Sequence, residues 1–157
     1  MISRKPKTVP YRRKREQKTN YAKRLKLLHS GKKRLVVRFT SSKVLAQLVE
    51  FTPKGDKVLV GTDSFALRKY GWPYSCKNFP AAYLTGLLFG KKMKEKKFTE
   101  MAVLDTGFRM PQRQGKIYAF LKGVIDAGIS IPHGQKEILP DERRIQGRHV
   151  QEYADKV

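Results

Sequence analysis

Three successive segments carry strand-like patterns of apolar residues: RLVVRF (34–39), VLAQLVEF (44–51) and KVLVGT (57–62). Short polar stretches separate them, TSSK at 40–43 and TPKGD at 52–56, the second with Pro53 and Gly55 at turn-favouring places. Such short connections predict an antiparallel meander. SFALRKYGW follows and predicts one short helix ending at Gly71. The longest helical pattern is NFPAAYLTGLLFGKKMKEK, with Asn78 or its neighbour as cap and Pro80 in the first turn. Its apolar face contains Ala81, Leu84, Leu87 and Leu88. Gly86 and Gly90 weaken helix propensity there, and close packing on a sheet accounts for them. MAVLD (101–105) predicts a short buried strand. GKIYAFLKGVIDAG predicts a second amphipathic helix with Ile117, Phe120, Leu121, Val124 and Ile125 facing inward. Strands first, then helix, strand and helix, give an α/β fold: a mixed sheet, three strands in a meander plus a further strand, flanked by helices.

Before this domain the pattern changes. Between residues 1 and 33 the cations are Arg4, Lys5, Lys7, Arg12, Arg13, Lys14, Arg15, Lys18, Lys23, Arg24, Lys26, Lys32 and Lys33, and Glu16 is the one acid. Pro6 and Pro10 favour extended chain. A helix is predicted to begin after the N-cap Asn20 and to stop at Gly31. Tyr21, Leu25 and Leu28 share its apolar face, so Lys23, Arg24 and Lys26 are expected to point elsewhere. Lys23 near the helix start opposes the macrodipole, which a nearby phosphate would relieve. Three zones result: a basic arm with a short helix (1–33), a globular α/β domain (34–131) and a C-terminal tail (132–157) with little core, where Pro140 and Asp141 start a short helix.

Composition sharpens the reading of the arm. The 157 residues hold 35 Lys and Arg against 13 Asp and Glu, a formal charge of +22. Self-repulsion of that size disfavours an isolated compact state and is relieved by a polyanion. Nucleic acid is the leading candidate, because each neutralised phosphate releases condensed counterions; an anionic membrane surface comes second. An extended arm before a folded domain suits irregular RNA, and Tyr11, set within the basic run, is placed to stack on bases. Tyr21, Tyr70 and Trp72 read better as core or docking aromatics. Cys76 is the single cysteine, which excludes an internal disulfide and a cysteine zinc site. The N-terminal residues lack the apolar stretch of a secretory signal, and the longest apolar run, 81–90, is too short to span a bilayer. A soluble cytosolic protein is expected, without a cofactor or small-molecule substrate.

Several motifs suggest catalysis: two are set aside on inspection, and a metal-dependent nuclease stays open as a rival. Asp105-Thr106-Gly107 copies the triplet of aspartic proteases, whose chemistry needs two such carboxylates sharing a proton. GLLFGKK (86–92) has one residue too few between its glycines for a phosphate loop, and it lies inside a helix. Asp63, Asp105 and Asp126 are the serious enzyme candidates, as carboxylates of a two-metal nuclease. Asp63 is also a credible N-cap for 64–69, and acids are scarce throughout. His29, His133 and His149 show no ligand spacing.

The run YGWPYSCKNFPAAYLTGLLFGKK (70–92) resembles the large-subunit ribosomal protein eighteen family of the archaeal and eukaryotic branch. YRRKREQKTNYAKRLKLL, RLVVR with AQLVEF, AVLDTGFRMP, LKGVIDAGISIPHG and ILPDERRIQGRHV resemble the same family in the same order, over nearly the whole chain. The resemblance implies a non-enzymatic constituent of the cytoplasmic large ribosomal subunit that binds 5S rRNA and helps anchor it to large-subunit rRNA in the central protuberance, beside neighbouring ribosomal proteins. It implies a fold of the ribonuclease-H-like translational-component type, which explains the nuclease-like pattern without an active site. Carried onto matching positions, it points to Tyr11, Arg12, Arg13, Lys14, Arg15, Lys18, Thr19, Tyr21 and Arg24 as RNA-binding residues, with Arg38 and the turn Ser41, Ser42, Lys43 as a second element. Arg4 and Lys5 extend the same basic arm. The family often has Asn at the position of Ser42, so one amide contact is absent here while the cation remains.

Overall fold

The computed structural model describes residues 8–98, 100–134 and 138–147. Helix α1 (Arg12–Arg15) and helix α2 (Tyr21–His29) precede the meander β1 (Arg34–Phe39), β2 (Val44–Thr52) and β3 (Gly55–Asp63). A 3-10 helix (Ser64–Tyr70) leads to α3 (Phe79–Glu95), strand β4 (Val103–Asp105), α4 (Lys116–Asp126) and α5 (Glu142–Ile145). The sheet order is β3-β2-β1-β4. β1 and β3 run antiparallel to β2, and β4 lies parallel to β1. The mixed four-stranded sheet with flanking helices is thus the α/β fold that the patterning predicts.

The stops and starts follow local chemistry. Gly31 and Gly71 take positive φ values of 65° and 82°, where a side chain would strain the backbone, and close α2 and the 3-10 helix. Asn78 caps α3 by accepting a hydrogen bond from Ala81 N at 2.8 Å. Leu35, Val37, Val44, Ala46, Leu48 and Val60 cover one face of the sheet and are buried against Phe89 and Met93 of α3 and Phe120, Leu121 and Val124 of α4. The rings of Phe89 and Phe120 meet at 6.1 Å between centroids.

The glycines of α3 serve a different contact from the expected one. A Cβ on Gly86 would overlap the Phe120 carbonyl, and one on Gly90 would overlap Ala127 Cβ. On the facing helix, a Cβ on Gly123 would overlap the Tyr83 carbonyl. The close partner is α4 rather than the sheet: small residues on both helices let two backbones touch. Ile125 is only partly buried, while Ala119 and Gly123 take inward positions.

The region after residue 131 also contributes more core than its composition suggests. Pro140 is fully buried, Ile145 is 7% exposed, and Ile138 O accepts from Gln114 N at 2.9 Å. Arg144 lies 4.7 Å over the Phe79 ring at the start of α3.

Candidate nucleic-acid interface

The second face of the sheet mixes Arg34, Arg38, Gln47 and Asp56 with Val36, Val49 and Val58, and α2 lies against it. The apolar stripe makes only part of this contact: Tyr21 and Leu28 are half-buried, Leu25 is 57% exposed, and α2 has no fully buried residue. Of the three cations expected to point elsewhere, Lys23 and Arg24 turn to the domain, and Lys26 stays exposed. Lys23 Nζ donates to Thr106 Oγ1 at 2.8 Å and to the Gly107 carbonyl at 3.1 Å. Its charge near the helix start is thus met by protein acceptors. Arg24 forms a two-pronged pair with Asp56, at 2.7 Å and 2.8 Å. That pairing pushes the Arg24 pKa up and, with Arg34 as second partner, holds the Asp56 carboxyl below its ordinary value.

Arg34 is the centre of this network. Its side chain is 3% exposed and lies between two carboxylates, 2.7 Å from Asp56 Oδ2 and 3.1 Å from Asp105 Oδ2. The contact to Asp56 is an ion pair lacking hydrogen-bond geometry, so Nη2 and Nε remain without a hydrogen bond. Asp105 also receives Arg38 Nη2 at 3.2 Å and the Gly107 N–H at 2.8 Å. Arg38 Nη1 donates to the Asp105 carbonyl at 2.7 Å. The DTG triplet is therefore an arginine-neutralised strand end. The three candidate nuclease aspartates do not meet: Asp63 pairs with Lys43 at 2.8 Å, and Asp126 accepts from the Tyr83 hydroxyl at 3.0 Å. Lys43 lowers the Asp63 pKa, while burial and Asp126 raise that of Tyr83. Among the described residues, no group of three His, Cys, Asp or Glu side chains is placed to hold a metal ion.

Between α2, the arm and this face runs a cleft of about 410 Å³. Arg13, Lys18, Lys23, Arg24, Arg34, Arg38 and Arg109 line it against Asp56 and Asp105, seven cations to two carboxylates. Of the sequence-derived RNA-binding residues, Arg13, Lys18, Thr19, Arg24 and Arg38 meet here. Arg12, Lys14 and Arg15 sit exposed on α1, and the exposed Tyr11 ring packs 5.5 Å from that of Tyr21. Arg13 Nε donates to Thr19 Oγ1 at 2.8 Å, which ties α1 to the chain entering α2. Lys18 pairs with Glu16 at 2.9 Å on the surface, a contact worth little. Ser41 and Ser42 are exposed in the β1–β2 turn, outside the cleft lining, and Lys43 lies 5.1 Å over the Phe65 ring. Arg4 and Lys5 fall outside the described residues.

Sequence reasoning missed Asp56, Arg34, Phe108 and Arg109 as members of this site. An aromatic-cation pair directly after DTG was a readable signal for the last two. Nothing in the sequence, which reads Asp56 as the end of the 52–56 turn, signalled that it would stand on β3 and face Arg24.

Asp56 gives a pH prediction. A folded-state pKa below the unfolded value of 3.8 stabilises the fold above that value. The contribution is lost as pH falls from 3.8 through the depressed folded pKa. Asp56→Asn should therefore lower the urea midpoint at neutral pH, and the deficit should shrink steadily below pH 3.8. Midpoints of both proteins from about pH 6 to about pH 2 test this; a deficit constant over that range would remove the charge as its cause.

Comparison with known proteins agrees with these features. The model of a family described as ribosomal large subunit proteins 60S L5 and 50S L18 matches residues 5–101. A large ribosomal subunit protein uL18 of Korarchaeum cryptofilum (strain OPF8) is 51% identical over 150 residues, covering 95% of this chain and 75% of that protein.

Proposed function

The chain belongs to the family of ribosomal large subunit proteins 60S L5 and 50S L18, and from that premise we propose that it binds 5S rRNA and helps anchor it to large-subunit rRNA in the central protuberance. Its role is structural: a protein of the large ribosomal subunit rather than an enzyme. The observation that carries the RNA reading is the cleft, where seven cations face two carboxylates that are themselves held by arginines. The surplus charge is oriented by the fold and continues onto the exposed cations of α1. Irregular RNA presents phosphates at such spacings, and its unpaired segments can enter a cleft that a duplex cannot.

In this reading the arm (1–33) holds RNA, and the domain (34–131) carries it, with residues 138–147 of the tail packed on the domain; neighbouring large-subunit proteins are further partners. Arg12, Lys14 and Arg15 act as direct phosphate contacts, together with Arg4 and Lys5. Arg13, Lys18, Thr19 and Arg38 line the entry, with Tyr11 and Tyr21 as the aromatic pair beside it. Arg24, already paired with Asp56, serves by fixing the direction in which α2 and the arm leave the domain. Ser41, Ser42 and Lys43 supply a separate contact at the β1–β2 turn.

The test is competition. Full-length protein is bound to labelled 5S rRNA at about 0.2 M salt, where non-specific phosphate attraction is reduced. Transfer RNA and duplex DNA serve as competitors. Preference for 5S rRNA over both is expected. Equal competition by all three would leave a generic polycation and sink the assignment.

A further inference from the structure

We propose that Phe108 and Arg109, in the loop between β4 and α4, form a stacking platform for one unpaired RNA nucleotide at the mouth of the cleft, an inference that rests on the RNA-binding reading above. Among the described residues most aromatic side chains are buried or half-buried. Among the described residues Tyr11, Phe51, Tyr70 and Phe108 are the exposed large aromatics, and Phe108 alone of these lines the cleft. The residue is 52% exposed.

The backbone that presents it is pinned on both sides. Before it, the Gly107 N–H donates to Asp105 Oδ1 at 2.8 Å, and the Gly107 carbonyl accepts from Lys23 at 3.1 Å. After it, the Arg109 carbonyl accepts from Thr106 Oγ1 at 2.7 Å. Asp105 and Thr106 are buried, at 6% and 3% exposure. The loop therefore displays an apolar ring to solvent from a fixed base. Little ordering entropy remains to be lost when a flat partner lands on the ring.

The surrounding charge selects that partner. Arg13, Lys18, Arg38 and Arg109 line the same cleft. An aromatic ring among cations matches a nucleotide, whose base offers a π face while its phosphates meet the guanidinium and ammonium groups. The base has to be unpaired and unstacked, because within a duplex both of its faces are covered by neighbours. An apolar protein surface would leave these cations without partners at the contact.

The experiment uses the full-length chain with 5S rRNA and, separately, an unstructured oligouridine. Phe108→Ala is expected to weaken binding of both by roughly 5- to 150-fold, the range for one stacked base. The dependence on salt should not change, because no phosphate contact is removed. Phe108→Tyr should restore affinity and Phe108→Leu should not. With Trp72→Phe as background, Phe108→Trp supplies a single indole whose fluorescence should be quenched on RNA binding. Phe108→Ala within twofold of the parent on both RNAs overturns the proposal. So does an equal rescue by Leu and Tyr. Normal RNA binding with poor incorporation into large subunits also overturns it, in favour of a protein contact. A parent protein that shows no preference for 5S rRNA, yet loses oligouridine binding with Phe108→Ala, keeps the platform and removes the 5S assignment instead.

Discussion

Replacing Arg12, Arg13, Lys14 and Arg15 together by Ala is expected to weaken binding to 5S rRNA about a hundredfold at roughly 0.2 M salt, with the domain still folded. These four residues form α1, none of them buried. Alanine is a better helix former than any of them, so the turn of helix keeps its propensity, while the Arg13–Thr19 hydrogen bond that ties α1 to the chain entering α2 is lost. What disappears is four cations and the counterion release they drive. Each phosphate contact contributes about 0.7 to 0.9 to the slope of log affinity against log salt, so the slope should fall by about 3. The loss should therefore be larger at low salt and fade as salt rises. Filter binding or fluorescence anisotropy across a salt series reads both quantities, and circular dichroism checks the fold. A weaker complex with an unchanged slope would mean that the four cations meet no phosphate and act through the position of the arm.

The largest effect on stability is expected at Asp105. Its carboxylate takes Arg34, Arg38 and the Gly107 N–H at once. Arg38 is 41% exposed at its side chain and can turn to water when its partner is lost. Arg34, at 3%, cannot. Removing one member of a buried pair leaves an uncompensated charge, and Asp105→Ala should cost about 3 to 5 kcal/mol, toward the lower end because Asp56 still faces Arg34. The double variant Arg34→Met with Asp105→Leu should be much less destabilised, since no buried charge is stranded: Asp56 keeps Arg24, and Arg38 can turn to water. Urea unfolding of the three proteins gives the comparison. Equal losses in single and double variants would show that packing, not the stranded guanidinium, sets the cost. The result also separates a structural from a catalytic carboxylate: catalytic aspartates are commonly replaced with little loss of stability, whereas this one ties β1, β4 and the platform loop together.

Much of this site was legible in the sequence as a list and not as an arrangement. The density of cations between Arg12 and Lys26 marks a polyanion partner without any structure, because charge requires no folding to be counted. The direction of α2 was not legible. The spacing of Tyr21, Leu25 and Leu28 describes an apolar stripe, and an apolar stripe normally faces the core. Here the surface facing α2 carries Asp56 and Asp105, so the arginine and lysine side turns inward and Leu25 stays in water. Helical periodicity says which residues share a face; it contains nothing about the surface opposite.

The sequence by itself determined the elements of the domain and their order, though not the short helix α1, which lies in the arm where only one helix, after Asn20, was expected. Capping by Asn20 and Asn78, the stops at Gly31 and Gly71, and the short apolar runs of β1 to β3 are set by residues a few positions apart. Only the tertiary structure decided how distant residues combine. Parallel pairing places β4 beside β1 and brings Asp105 to Arg34 and Arg38, and the meander brings Asp56 to Arg34 and Arg24. The contact of α3 with α4 turns Gly86 and Gly123 from helix weaknesses into the means of close approach. The physical reason is range. Caps, turns and alternation are local interactions that act before the chain has closed, whereas ion pairs between side chains tens of residues apart form only once the sheet has fixed their distance.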